Sequence, residues 1–329
     1  MREFGFEMAL CARLEAGGRL VSRQLGASTR GRRVVDAVIV EPGPAFDERA
    51  RLTSATIPAA AIDADVGPGR ARFWKDCFDR DSIPPERARE VVERGVEIGF
   101  FERERRGGQT YLRQAARYPE EWFGRLIGVE NKPDLDRPGD LRTQLRRDVS
   151  LAALDAVILA TESYVTGAHR NRIPPEVGIW RVDADVEGGT VDREVVREPT
   201  PLPVEEPGLE IDERRPARTD VEPVTAAEKA RLRRTIAEHA YGKGWRVAFP
   251  DCPHVVETAV AGVGGIPYCS RAGRIAGRVD PCSCTGDERG GDSHRSASID
   301  LRGRRATHSP WVRDPEGAAS EQAGLERFL

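Results

Sequence analysis

The spacing of apolar residues along the first part of the chain predicts alternating helices and strands. Apolar side chains recur at three- and four-residue intervals from Phe4 to Leu14, which predicts a helix over 3–17. Two apolar runs follow at 19–25 and 33–40, and the second, VVDAVIV, is interrupted by a single charged residue. A turn between the two runs makes them a predicted β-hairpin.

The segment 67–117 has a different pattern. It predicts helices at 70–78 and 86–98, followed by two short strands that flank a Gly-Gly turn at 107–108. Helix, helix and a two-stranded wing is the element order of a winged helix-turn-helix. We therefore expect a winged-helix-like insertion here.

Apolar strands and helical patterns then continue to about residue 200, so the element order predicts one α/β sheet. The further predicted elements are strands at 126–130, 157–161 and 178–182 and helices at 140–155 and 225–239. Pro and Glu are frequent in 201–223, which predicts a linker or an extended edge. The expected domains are a core over 1–66 and 118–200, the insertion over 67–117, the linker over 201–223, and a helix with a Cys-rich module over 224–329.

Composition limits the classes of function. The 51 basic and 54 acidic residues nearly cancel, which does not favour a strongly basic protein that binds any nucleic acid. No run approaches the roughly 20 apolar residues of a membrane helix, and the N-terminus lacks a secretory signal pattern. We expect a soluble, cytoplasmic protein.

The strand pattern singles out a small set of charged residues. Asp36 is the lone charge in VVDAVIV, and a buried charge normally requires a partner or a metal. Glu130 and Lys132 stand two apart at the end of an apolar strand, so we expect both side chains on one face. Carboxylates hold divalent cations, and an ammonium group can orient water and offset charge on a phosphate. The pattern predicts a metal site at Asp36 and Glu130, to which the carbonyl of Asn131 can add a ligand.

Together, these residues and the element order resemble the PD-(D/E)XK nuclease superfamily over 1–45 and 120–185. The resemblance implies a restriction-endonuclease-like mixed sheet flanked by helices, and Mg²⁺- or Mn²⁺-dependent hydrolysis of DNA. The superfamily's metal-binding Asp and E-x-K pair map to Asp36, Glu130 and Lys132, its helical Gln to Gln144, and its helix acid to Glu7 or Glu3. The whole chain is also similar to an uncharacterised family of haloarchaeal proteins.

The sequence departs from the superfamily pattern at two points. The separation of Asp36 from Glu130 is longer than is usual, which we attribute to the insertion. Pro133 follows Lys132 directly, so the strand must end there.

Two alternatives to a nuclease site remain open. Glu130 and Lys132 can form a surface ion pair while backbone donors satisfy Asp36. The chain can also be a DNA-binding or adaptor protein that keeps the nuclease fold without turnover, because enzyme folds often host non-enzymes. Metal-dependent cleavage distinguishes these functions.

Arginine side chains of the insertion are candidates for DNA contact. Those expected to bind phosphates are Arg87, Arg89 and Arg94 on the second helix and Arg103, Arg105 and Arg106 on the wing. The alternative is a solvated helix whose arginines pair with Glu residues three or four positions away.

Four of the six cysteines lie between 252 and 284. Soft ligands in a Gly- and Pro-containing segment suit a structural zinc ion, held by Cys252, Cys269, Cys282 and Cys284. An iron–sulfur cluster and free thiols are the alternatives. The remaining cysteines, Cys11 and Cys77, fall in apolar helical patterns and are expected in the core.

Overall fold

The computed structural model describes residues 3–30, 33–214, 218–250 and 252–277. Its helices are α1 (Glu3–Ala16), α2 (Phe46–Leu52), α3 (Ala59–Ile62), α4 (Pro85–Glu97), α5 (Leu141–Leu151), α6 (Gly167–Arg172) and α7 (Ala226–Lys243), with a 3₁₀ helix at Trp74–Asp76. Its strands are β1 (Leu20–Gly26), β2 (Val34–Pro42), β3 (Arg72–Phe73), β4 (Phe101–Arg106), β5 (Gln109–Gln114), β6 (Phe123–Asn131), β7 (Ala156–Thr161), β8 (Gly178–Asp185), β9 (Thr190–Arg197), β10 (Gly208–Arg214), β11 (Thr219–Val224), β12 (Val255–Val260), β13 (Val263–Cys269) and β14 (Arg274–Ile275). None of the helices in these ranges is long and apolar enough to span a membrane.

A mixed sheet forms the centre of the protein. Within the described residues its strand order is β1-β2-β6-β7-β8-β9. β1, β2 and β6 are antiparallel neighbours, β6, β7 and β8 run parallel, and β9 returns antiparallel. α5 and α6 connect the parallel strands. Because β6 and β7 are parallel, their carboxyl ends lie at one sheet edge, where ligands bind in many open α/β sheets.

Apolar side chains cover both faces of this sheet. In β2, Ala37 and Ile39 pack into the buried cluster that contains α1, whereas Val38 and Val40 pack into the cluster on the other face. α1 is buried on nearly all sides because β12, β13 and β14 pack on its outer surface. A helix enclosed in this way carries apolar residues all round. Cys11 is accordingly buried in α1, as its pattern predicted.

α7 packs on the sheet face opposite α1. Its Ile236 and Tyr241 belong to the same buried cluster as Val38 of β2. Glycine is required at 242, because a Cβ on Gly242 would lie 1.7 Å from Oγ1 of Thr56. The sequence grouped this helix with the Cys-rich module, and the structure instead places it on the central sheet.

The segment 67–117 forms a small sheet beside α4. Its strands pair in the order β3-β5-β4, and α4 buries Val91 and Val92 in a cluster shared with the central sheet. The helix predicted over 70–78 is instead β3 followed by the 3₁₀ helix, because the first residues pair with β5. Cys77, directly after the 3₁₀ helix, is buried as predicted.

The segment expected to be a linker forms most of a hairpin. β10 and β11 pair with each other, and the hairpin packs on α5. Glu210 accepts hydrogen bonds from the main-chain N–H, at 3.2 Å, and the hydroxyl of Thr29 in the β1–β2 turn. These contacts fix the hairpin against the body of the protein.

Candidate active site

Asp36 and Glu130 lie on neighbouring strands at the same end of the sheet. The β2–β6 ladder pairs Ala37 with Val129, so the next position of the antiparallel register places Asp36 opposite Glu130. The main-chain N–H of Asn131 donates to Oδ2 of Asp36 at 2.9 Å. The two carboxylates are close enough for Asp36 to raise the pKa of Glu130. The bond from Asn131 also supplies the backbone donor that the alternative interpretation of Asp36 requires.

α1 adds a third carboxylate to this edge. Glu7 is buried and accepts hydrogen bonds from Nε of Arg23 at 2.7 Å and Nε2 of Gln24 at 3.2 Å. The same Gln24 amide donates to Oδ1 of Asp36 at 3.2 Å. The backbone of Gln24 has a left-handed φ of 52°, which non-glycine residues adopt where the surrounding structure requires it. Gln24 therefore connects Glu7 to Asp36. Burial raises the pKa of Glu7, and the Asp36 carboxylate adds to the effect.

A fourth carboxylate reaches the cluster from α5. Nη2 of Arg33 donates to Oε2 of Glu130 at 2.6 Å and to Oδ2 of Asp148 at 2.7 Å. None of these three side chains is more than 7% exposed. Burial and the neighbouring Asp36 carboxylate raise the pKa of Glu130 to about 8, against the opposing effect of Arg33. The ionised form of Glu130 therefore depends on a nearby cation.

Sequence reasoning missed Arg33 and Asp148. Asp148 follows Leu145 at helical spacing, so it occupies a core position of α5. Asp36 was identified because it is a charge at a core position of a strand. The same criterion applied to helices identifies Asp148. Gln144, predicted on the same helix, is half-buried one turn before Asp148. Arg33 precedes β2 by one residue, where the pattern does not distinguish it from an exposed arginine.

Lys132 lies beside α1. Its Nζ is 3.9 Å from Oε1 of Glu3, whereas Glu130 contacts α5 through its arginine partner. β6 ends at Asn131, so Lys132 lies one residue beyond the strand and its direction is set by its contact with Glu3 and not by strand alternation.

Asn131 has a buried side chain that contacts α1. Its side chain is about 1% exposed, and its Nδ2 donates to the main-chain oxygen of Glu3 at 3.1 Å. Its Oδ1 has no hydrogen-bond partner within the described residues. Buried polar atoms are rarely left unpaired, so this oxygen is available to a water molecule or a cation. In the part of the chain that the structure describes, no three His, Cys, Asp or Glu side chains are grouped so as to hold a metal ion.

The arginines predicted to contact DNA differ in their partners. Within the described ranges, those with a Glu partner are Arg87 with Glu90, Arg94 with Glu97 and Arg106 with Glu104, at 2.7, 2.8 and 2.6 Å. Arg89 lies 5.9 Å from the ring centroid of Trp74. Arg103 and Arg105 are exposed on β4, and neither has an ion pair among the residues described. Arg103 and Arg105 can therefore bind a phosphate without first breaking an ion pair to a described residue.

Cys252 and Cys269 lie at the β12–β13 hairpin. Both contact a small apolar cluster around Val255, and both are free thiols. Cys282 and Cys284 lie outside the described residues, so the predicted zinc site is described only in part.

The chain matches a protein-family model over most of its length. Residues 20–289 match a family of unknown function (DUF5787). The matched range contains β2, β6 and α5, the elements that carry Asp36, Glu130 and Asp148. No curated protein and no solved structure matches the chain. This protein therefore belongs to the DUF5787 family, a family of unknown function.

Proposed function

We propose that this protein is a metal-dependent hydrolase that cleaves phosphodiester bonds in DNA. The observation that carries the proposal is a cluster of carboxylates from four elements at one end of the sheet: Glu7 of α1, Asp36 of β2, Glu130 of β6 and Asp148 of α5. The guanidinium groups bonded to them belong to Arg23 and Arg33. When all four are ionised, these carboxylates outnumber the two guanidinium groups, and hard oxygen atoms with excess negative charge suit a divalent cation.

The donor atoms fit Mg²⁺ or Mn²⁺. Asp36 and Glu130 would hold the ion, with the carbonyl of Asn131 as a further ligand. When bound, the ion would polarise the phosphate and lower the pKa of a water molecule. Lys132 would orient the attacking water and offset charge on the phosphate. Gln144 would support the site from α5.

The order of elements supports the same proposal. α1, β1, the strand with Asp36, the strand ending in E-x-K, α5 and the parallel strand β7 follow the order that the PD-(D/E)XK resemblance implies. The central sheet is mixed and has helices on both faces. The small sheet with α4, inserted between β2 and β6, accounts for the long separation of Asp36 and Glu130.

The insertion is the reason for choosing DNA as substrate. α4 precedes a hairpin, and Arg103 and Arg105 are exposed on its first strand. Arginines without a carboxylate partner bind phosphates at little cost. We propose that Arg103 and Arg105 hold the DNA backbone, and that Arg87, Arg89, Arg94 and Arg106 contribute after exchanging their protein contacts for phosphates.

The proposal is tested with the full chain, Mg²⁺ or Mn²⁺, and single-stranded, duplex and branched DNA. Lys132→Ala should lower the cleavage rate at least ~100-fold with little change in DNA binding, because its group acts mainly in the transition state. Arg231→Ala removes an equal charge from an exposed position of α7 and should cleave like the wild type. Unaltered cutting by Lys132→Ala would remove the mechanism.

A DNA-binding or adaptor protein without turnover is the second candidate function. The observation that favours it is the Arg33 contact, which gives Glu130 and Asp148 a positive partner without any metal. Wild-type protein that binds DNA but cuts none of the three substrates with either ion would establish this second function in place of the first.

A structural zinc ion in the C-terminal segment is part of the proposal. Cys252 and Cys269 contact the same apolar cluster, and Cys282 and Cys284 would supply the other two thiolates. Elemental analysis of native protein should find one zinc per chain, and Cys269→Ser should lower that content. Iron with sulfide would indicate a cluster instead, and four freely titratable thiols without metal would contradict both.

A further inference from the structure

Arg33 joins two buried carboxylates with unequal contacts. Asp148 accepts two hydrogen bonds from it, from Nε at 2.9 Å and from Nη2 at 2.7 Å. Nη1 donates to the main-chain oxygen of Val34. Glu130 accepts only from Nη2, at 2.6 Å. The guanidinium is thus anchored on Asp148 and Val34, and its contact with Glu130 is the one that can be given up while the anchor remains.

We propose that Arg33 competes with the divalent cation for Glu130 and thereby sets the cation affinity of the site. This inference rests on the proposed metal-dependent function. Arg33 is a positioning residue, since it holds Glu130 against Asp148 until an ion takes its place.

The balance of charge favours the exchange. Without an ion, one guanidinium is shared by Glu130 and Asp148, and Asp36 lies close by. With a divalent cation on Asp36 and Glu130, Arg33 remains paired with Asp148 alone. Every buried charge then has a partner, which is the condition under which buried ionic groups are tolerated.

A small cleft borders Arg33. Its walls include Arg33, Asp148, Arg147 of α5 and Glu210 of the β10–β11 hairpin, and its enclosed space of about 20 Å³ has room for one water molecule.

The test compares the Mn²⁺ affinity of wild type and Arg33→Met by calorimetric titration without DNA, and their melting temperatures in EDTA and in Mn²⁺. Methionine keeps the aliphatic part of the side chain and removes its charge and its hydrogen-bond donors. Arg33→Met should bind Mn²⁺ at least ~10-fold tighter, because a competing contact that lowers the binding-competent fraction is gone. Its melting temperature should fall in EDTA and rise more with Mn²⁺ than that of the wild type.

Two variants serve as controls. Arg233→Met breaks another buried pair, Arg233 with Asp155 at 2.9 Å, so it should also melt earlier, but Mn²⁺ should not restore it. Glu130→Gln leaves Arg33 on Asp148 and should lose Mn²⁺ binding in the wild-type background. If Arg33→Met fails to fold in EDTA, Arg33→Gln carries the same comparison.

Equal Mn²⁺ affinity of wild type and the Arg33 variant, or full affinity in Glu130→Gln, overturns the inference. A wild type that never cuts DNA, combined with tight Mn²⁺ binding by Arg33→Met, removes the proposed function and leaves the competition standing. Absence of Mn²⁺ binding in both proteins removes both.

Discussion

Buried arginines and their carboxylate partners connect distant parts of this chain. Arg49 is fully buried and donates to both carboxylate oxygens of Glu238 at 2.6 Å, and to the main-chain oxygens of Thr53 and Ala55. Oη of Tyr118 donates to the same carboxylate at 2.8 Å. Burial and the adjacent Glu238 raise the pKa of Tyr118, so its hydroxyl stays protonated and remains a donor. Both members of the pair therefore have further hydrogen bonds besides their own contact.

Removing one partner of this pair should be costly. We expect Glu238→Ala to lower the free energy of unfolding by about 3–5 kcal/mol, because it leaves the Arg49 charge buried and unpaired. Urea denaturation followed by circular dichroism measures the change. Glu90→Ala, which breaks the exposed pair with Arg87, should change stability by less than ~1 kcal/mol. Similar midpoints for the two variants would contradict the assignment of Glu238 to a buried network.

Single residues were predictable from the sequence where a charge interrupts an apolar strand. Asp36 stands out for that reason, and Glu130 ends an apolar run. Arg33 was not predictable, because its burial follows from Asp148, which is 115 positions away. Which charges pair is a property of the tertiary structure, and local spacing does not contain it.

At the scale of elements, the sequence located the helices and strands that have a strong apolar pattern and missed strands made largely of polar residues. α1 and β2 were predicted within two residues of their bounds, since their apolar patterns are unambiguous. α5 was predicted too long, because Ala152 adopts a left-handed φ of 50° that ends the helix. β9 was missed, since TVDREVVR is largely exposed and lacks an apolar stripe. β10 and β11 were missed because Pro and Glu obscure their pattern.

The β4–β5 hairpin gives a prediction about DNA binding. Replacing Arg103 and Arg105 together by Ala should weaken binding and reduce the slope of log affinity against log salt by about one unit per lost phosphate contact. Fluorescence anisotropy at several salt concentrations measures the slope. Cleavage at saturating DNA should persist, because none of the carboxylates of the cluster lies on this hairpin.

The matched control for the hairpin is Arg87→Ala with Arg94→Ala on α4. These arginines already have Glu partners, so their loss should change the slope less. An equal or larger effect from the α4 pair would move the DNA contact from the hairpin to the helix.

At the scale of the whole molecule, helices cover both faces of the central sheet. The sequence predicted an α/β sheet and the order of its main strands along the chain. It did not predict that α7 returns to pack on β1, where Oγ of Ser22 donates to the main-chain oxygen of Gly244 at 2.8 Å across 222 positions. Contacts of that range depend on shape complementarity between elements, which periodicity does not encode.

The inserted segment leaves the sheet and returns to it at one point, where Gly43 N–H donates to the main-chain oxygen of Trp122 at 2.8 Å. The entropy of closing such a loop grows only logarithmically with its length, by about 0.6 kcal/mol per doubling, so the sheet pays little for the insertion at equilibrium. During synthesis the insertion also delays the pairing of β2 with β6. Asp36 and Asn131 are 95 positions apart, and a ribosome adding about 5–20 residues per second needs roughly 5–20 s to make that stretch. During that interval the edge of β2 that later pairs with β6 has no partner strand. The carboxylate cluster cannot form until translation has passed α5.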